Sequence, residues 1–186
     1  MPAVHRVVTR LHARRFDGLA GRWDVIRSDV GDSRRMLEVA LRELALEPPP
    51  GRVLDVGTGT GQAAGMLAEL FPAAQIDAVD ASPEMVGRAR AKPELSRVRF
   101  AVADAGSLPF AAGSFDLAVS LLVQPFEHEL LRVLAPGGWA LFCYPMGPGT
   151  PIWFPSSLVA PRLRRAGFAE VRHGTVARGE WTAGRR

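Results

Sequence analysis

Apolar positions follow two rhythms along this chain, a helical spacing before residue 47 and short continuous runs after it. Met36, Leu37, Val39, Ala40, Leu41, Leu44 and Leu46 fall near helical spacing, with Arg35, Glu38, Arg42 and Glu43 between them. Residues 1–47 therefore read as a helical, amphipathic segment. Glu47-Pro48-Pro49-Pro50-Gly51 stops it, because proline cannot extend the helical hydrogen-bond ladder. A strand is then predicted at Val53–Val56 and a helix at Gln62–Phe71. Gln75–Val79 reads as a second strand ending at Asp80. Ser82-Pro83-Glu84 opens the next helix with a capping hydroxyl, a first-turn proline and an acid near the positive end of the dipole. Further strands are predicted at Val98–Val102, Asp116–Val123 and Trp139–Tyr144. A short helix lies at Glu127–Leu134 and a turn at Pro136-Gly137-Gly138. Ser156–Ala166 reads as a helix, and Phe168–Ala177 with Trp181–Arg185 as a closing hairpin.

Strands alternating with helices imply a mostly parallel sheet covered on both faces, which is why its strands are continuous apolar runs rather than alternating ones. The predicted class is α/β, with an antiparallel hairpin at the C-terminus. Ligands of such sheets bind beyond the carboxyl ends of the strands, where strand order reverses. The stretch that draws attention is "VLDVGTGTG" at Val53–Gly61, the first strand-to-helix turn. Its glycines let the backbone turn sharply and approach a ligand closely. The dinucleotide spacing G-x-G-x-x-G, counted from Gly57, requires glycine where Gln62 stands, and a phosphate loop requires a lysine that is absent.

Composition adds limits. The 186 residues are 47% hydrophobic and 23% charged, enough for one domain with a substantial core. No run has the length of a membrane-spanning helix, and "MPAVHRVVTR" has no apolar stretch of signal-peptide type, so a cytoplasmic setting is expected. Cys143 is the single cysteine, which excludes an internal disulfide and a cysteine-based metal cluster, and no metal is expected. The net charge of +4 comes almost wholly from dispersed arginines, with Lys92 the only lysine. Dispersed charge is a solvated surface, so nucleic acid is not an expected partner. A homodimer is compatible with everything above.

Several segments, in register, resemble the class I S-adenosylmethionine-dependent methyltransferases, particularly the small ubiquinone/menaquinone-biosynthesis type. They are "VLDVGTGTG", "IDAVDASPEMVGRAR", "VRFAVADAGSLPFAAGSFDLAVS" and "LLRVLAPGGWALF", which together cover Arg52 to Tyr144. The resemblance implies a single Rossmann-like domain with a seven-stranded sheet over 48–186, a helical lid or cap at 1–47, and S-adenosyl-L-methionine as cofactor. It implies that Gly57, Thr58 and Gly59 wrap the methionine part, with Asp55 bracing the loop. Asp80 would accept the ribose hydroxyl protons, and Ala81 and Met85 would lie against the adenine. Asp104 would accept the adenine amino proton beside the Ala105 N–H, and Ser120 would face the reactive end. Asp116 would be structural.

The same resemblance marks departures. The stretch between Ser120 and Pro136 is shorter than in typical relatives by about two helical turns, and the link Pro145–Pro155 is also short. Gln124 and Trp153 are the acceptor-side candidates there. "FDGLAGRWD" resembles a family lid and makes Trp23 a third candidate. No catalytic base stands out, although His128 lies in "PFEHELL". Methyl transfer needs chiefly proximity and alignment, so a missing triad is no obstacle. The expected function is methyl transfer to a small, partly apolar acceptor such as a quinone, phenol or other aromatic metabolite. A non-catalytic cofactor-binding or scaffolding protein on the same fold is the alternative. An RNA or protein methyltransferase, resting on the basic tails, is the third reading.

Overall fold

Seven strands in the order β3-β2-β1-β4-β5-β7-β6 form the sheet of the computed structural model, which describes residues 33–149 and 152–186. The elements are α1 (Ser33–Leu44), β1 (Arg52–Val56), α2 (Gln62–Leu70), β2 (Gln75–Asp80), α3 (Pro83–Arg90), β3 (Arg99–Val102), β4 (Phe115–Leu121), α4 (Glu127–Val133), β5 (Leu134–Tyr144), α5 (Ser156–Ala166), β6 (Glu170–Val176) and β7 (Gly179–Arg185). Strands β1 to β5 are parallel, and β7 pairs antiparallel to both β5 and β6. The predicted α/β class and the closing hairpin are thus realised.

Alternation along each strand divides the core in two. Val53, Ile76, Leu117, Val119, Leu141 and Trp181 point to one face, where Met36, Leu37, Ala40 and Leu44 of α1 and Ala64 and Leu67 of α2 cover them. Leu54, Val56, Ala118, Ala140, Phe142 and Tyr144 point to the other, beneath Leu130 and Val133 of α4 and Val159 and Leu163 of α5. Both faces being buried is what makes the strands read as unbroken apolar runs.

Local chemistry sets the element ends. The Ser82 hydroxyl accepts from the Met85 N–H at 3.1 Å, and Pro83 and Glu84 fill the first turn of α3 as predicted. Gly167, with φ of 108°, closes α5 in the left-handed conformation. The Asp116 carboxylate accepts from Gly51 and Arg52 N–H, each at 2.9 Å, and so fixes the entry of β1. Most boundaries shift from expectation by one or two residues, and two of the differences have a visible cause. Strand β4 stops at Leu121 rather than Val123, because Leu122 turns to φ of 57°. Pro136-Gly137-Gly138 is not a separate turn: it is an irregular opening of β5, where Gly137 at φ of 81° donates to the Arg186 carbonyl at 2.9 Å.

Strand order reverses between β1 and β4, because β1 connects onward to β2 on one side while β4 connects to β5 on the other. The crevice beyond the carboxyl ends of β1 and β4 is therefore where this architecture places a ligand.

Candidate functional site

The glycine loop leaves β1 at that crevice. Gly57, Gly59 and Gly61 have φ of 73°, 56° and 90°, a conformation that L side chains rarely adopt. Gly57 and Thr58 both donate to the Val79 carbonyl, at 2.8 and 3.0 Å, which pins the loop to the end of β2. A Cβ at Gly57 would stand 2.3 Å from Val123 Cγ2, so the loop after β1 and the chain after β4 are in close contact. Asp80 braces the same loop: one carboxylate oxygen accepts from Gly59 N–H at 2.8 Å and the other from Ser82 N–H at 2.9 Å.

The segment after β3 is held from α4. Asp104 accepts from Gly106 N–H at 2.8 Å, forming a compact turn with Ala105 between them. Glu129 accepts from Leu108 N–H at 2.6 Å. Arg132, ion-paired to Glu129 at 2.6 Å, donates to the carbonyls of Leu108 and Phe110 at 3.1 and 2.8 Å. The hydrogen bond from Arg132 holds the Glu129 carboxyl below the ordinary carboxylate range, with the Leu108 N–H adding to it against the cost of burial. The "LPF" stretch is thereby clamped to α4 from both sides of its backbone.

Beyond β4 lies a cleft of about 390 Å³, lined by Gly106, Gln124, Glu127, His128, Phe154 and Arg162 among others. Glu127 and Arg162 make a two-point ion pair, with Nε and Nη2 at 2.9 and 2.8 Å from the carboxylate oxygens, and Nη2 also reaches the Pro125 carbonyl at 3.1 Å. Tyr144 donates to the Val123 carbonyl at 2.8 Å, and its ring lies 5.7 Å from that of Phe154. Burial pushes the Tyr144 phenol upward, so it acts as a fixed hydrogen-bond donor rather than an acid.

Comparison with known proteins joins these parts. The methyltransferase-domain family model matches residues 53–138, the span holding the glycine loop, Asp80, the clamped segment and the cleft's α4 wall. A demethylmenaquinone methyltransferase of Thermus thermophilus is 40% identical over 134 residues, covering 66% of this chain and 60% of the relative. Residues 53–138 carry a methyltransferase domain, and the chain is similar to S-adenosylmethionine-dependent methyltransferases of the ubiquinone/menaquinone-biosynthesis type. A malonyl-(acyl-carrier protein) O-methyltransferase of Halorhodospira halophila is 38% identical, over 74% of this chain and 48% of the relative. A ubiquinone/menaquinone biosynthesis C-methyltransferase of Syntrophotalea carbinolica is 37% identical, over 72% of this chain and 62% of the relative. The chain thus spans about half to three fifths of the length of these curated relatives. Among solved structures, a putative methyltransferase bound to the Haloferax volcanii Trm112 activator superposes with a TM-score of 0.71 at 22% identity, over 91% of this chain and 96% of that one. The cyclase SpnF superposes with a TM-score of 0.69 at 24% identity, over 89% of this chain and 74% of that one. These likenesses concern the fold alone, and the second shows that one methyltransferase-like fold carries more than one chemistry.

The family's cofactor is S-adenosyl-L-methionine, and the loop residues fit it on two counts. Gly57 and Gly59, at φ of 73° and 56°, carry no side chain to screen the loop backbone from a ligand, and Thr58 Oγ1 is buried with no hydrogen-bond partner among the described residues. An orphaned buried hydroxyl costs free energy that a ligand's polar group would offset. The residues singled out from the sequence separate by burial. Asp80, Ala81, Asp104 and Ala105 are partly exposed at the rim of the sheet's carboxyl edge. Asp55 and Ser120 are buried within β1 and β4, and Met85 is buried in the first turn of α3. Gln124 is exposed in the cleft wall. Trp153 packs beside Phe154, its indole N–H buried without a partner among the described residues. Trp23 and its "FDGLAGRWD" segment lie outside the described residues. The methyltransferase motifs did not point to Glu127, Arg162 or Tyr144. Glu127 and Arg162 are 35 positions apart and meet only because α4 packs on α5, which no local pattern announces. The Glu129–Arg132 pair, by contrast, has a visible i,i+3 spacing on a helix.

Proposed function

We propose that this chain transfers a methyl group from S-adenosyl-L-methionine to a planar, partly apolar small molecule of the quinol or phenol class. The observation that carries the reading is the step from Val123, which meets the glycine loop, to Gln124, which lines the cleft. The Val123 side chain abuts Gly57 of the glycine loop, and its carbonyl is held by Tyr144 beside Phe154. A molecule in the cleft and a ligand on the loop would therefore be neighbours.

The cofactor supplies an electrophilic methyl on a sulfonium, and the acceptor supplies the electron pair. In this reading Gly57, Thr58 and Gly59 hold the methionine part through backbone N–H groups and the Thr58 hydroxyl. Asp80, whose carboxylate accepts from the Gly59 and Ser82 N–H groups, accepts in this reading from the ribose hydroxyls as well. Asp104 and the Ala105 N–H read the adenine edge, with Ala81 and Met85 on its flank and Ser120 behind the reactive end. Asp55 supports the loop from within β1. Proximity and alignment then supply much of the acceleration. Gln124, Trp153 and Phe154 form the acceptor wall, and the segment ahead of α1, with Trp23, serves as lid. A small-molecule acceptor rather than nucleic acid, and a cytoplasmic setting, complete the reading. Relatives named for demethylmenaquinone and ubiquinone/menaquinone methylation support the acceptor class.

The test is transfer of label from methyl-labelled S-adenosylmethionine to a ring-unmethylated naphthoquinol, with a malonyl thioester and RNA in parallel. The expected result is label in the quinol. Tight binding of S-adenosylhomocysteine with no label in quinols or phenols would overturn the acceptor assignment and favour a scaffold; label in the malonyl ester would move it to a carboxylate.

A further inference from the structure

We infer that Arg162 is the specificity-determining residue of the cleft, and that the acceptor it selects carries an anionic oxygen on a planar ring. This rests on the cofactor and cleft reading above. Arg162 lies on α5 and lines the cleft with Gln124, His128 and Phe154. Its Nε and Nη2 are committed to Glu127 and to the Pro125 carbonyl. Nη1 makes no hydrogen bond among the described residues, so its two N–H groups are unspent on the wall of an open cleft.

Glu127 is 9% exposed and anchors the guanidinium plane, so little side-chain entropy is lost when Nη1 takes a ligand. The other charges facing the cleft do not compete for this donor. Glu129 is answered by Arg132 and by the Leu108 N–H. His128 is exposed at the mouth, and Gln124 offers an amide that donates as well as accepts. Because Glu127 neutralises much of the Arg162 charge, the selection is a directed hydrogen-bond preference and not a long-range field. Its size follows from that: about tenfold rather than thousandfold. Phe154, tilted against Tyr144 with ring centroids 5.7 Å apart, supplies the apolar face that a ring would lie against. An oxygen anion held on a guanidinium is also stabilised in its deprotonated form, which removes the need for a general base in a cleft where none stands out.

The experiment compares lawsone, a hydroxynaphthoquinone ionised at neutral pH, with its uncharged methyl ether. Both are titrated by calorimetry into the full chain saturated with S-adenosylhomocysteine. The wild type is expected to bind the anion about tenfold more tightly, equivalent to about 1.4 kcal/mol. The Glu127→Gln/Arg162→Gln double variant removes both charges together and so leaves no unpaired buried carboxylate. It is expected to bind the two probes equally while keeping its affinity for S-adenosylhomocysteine. Arg162→Lys, which keeps the charge but loses the fork, is expected to retain only part of the preference. Equal binding of the two probes by the wild type, no binding of either, or an undiminished preference in both variants would overturn the assignment. Failure of the wild type to bind S-adenosylhomocysteine would instead overturn the cofactor reading on which this one rests.

Discussion

Gly57→Ala probes the joint between the glycine loop and the chain after β4, and the structure fixes its cost from two sources. The residue sits at φ of 73°, where an L side chain costs about 1–2 kcal/mol. The new Cβ would also stand 2.3 Å from Val123 Cγ2, and valine cannot rotate freely out of the way. Overpacking of that kind costs about 1–3 kcal/mol, so the total destabilisation is expected at roughly 2–5 kcal/mol. Gly113→Ala is the internal control. It has nearly the same φ, 71°, but nothing within 4 Å of the added carbon. It is expected to cost only the conformational part, about 1–2 kcal/mol. Urea unfolding followed by circular dichroism reads both, with equal m-values confirming that the denatured state is unchanged. Adding Val123→Ala to Gly57→Ala relieves the steric share, and the cycle should return a coupling of about 0.5–3 kcal/mol. If Gly57→Ala costs no more than Gly113→Ala, or the cycle shows no coupling, the contact between the loop and the chain after β4 is refuted.

Other consequences follow from single contacts. Tyr144→Phe removes the bond to the Val123 carbonyl and should cost about 1 kcal/mol in urea unfolding, with no change in fold by circular dichroism. Glu129, whose folded-state carboxyl is held low by Arg132, contributes stability above the ordinary carboxylate range and loses it as pH falls through the lowered value. Glu129→Gln should therefore destabilise at neutral pH and flatten the acid limb of the stability profile; an unchanged acid limb would deny the clamp. Cys143 is wholly buried, and burial pushes its thiol upward, so Ellman's reagent should leave it unreacted in the native protein and react fully in denaturant.

The parts of this molecule that were readable in the sequence are those set by local chemistry. The Ser82-Pro83-Glu84 start of α3 is a cap written in three adjacent residues, and the structure repeats it bond for bond. The apolar runs of β1, β2, β4 and β5 are legible because burial on both faces removes the polar alternation. The run Pro136-Gly137-Gly138 misled because glycine and proline signal a turn whether it stands alone or bends a strand. Only the Arg186 partner, at the far end of the chain, decides which. Leu122 shows the converse: nothing in leucine announces the left-handed backbone that it adopts after β4. The glycine loop was legible as the turn between β1 and α2. Glu127, Arg162 and Tyr144 were not legible, because their positions are consequences of α4, α5 and β5 meeting in space.

The central claim is that the loop at Gly57–Gly59, braced by Asp80, binds S-adenosylmethionine. Calorimetric titration of the wild type and of Asp80→Ala with S-adenosylhomocysteine tests it most directly. The account predicts saturable one-to-one binding by the wild type. It predicts at least about tenfold weaker binding by the variant, because hydrogen bonds to a charged group are worth about 1.5–3 kcal/mol. Absence of binding by the wild type, or equal affinity in the variant, would contradict it.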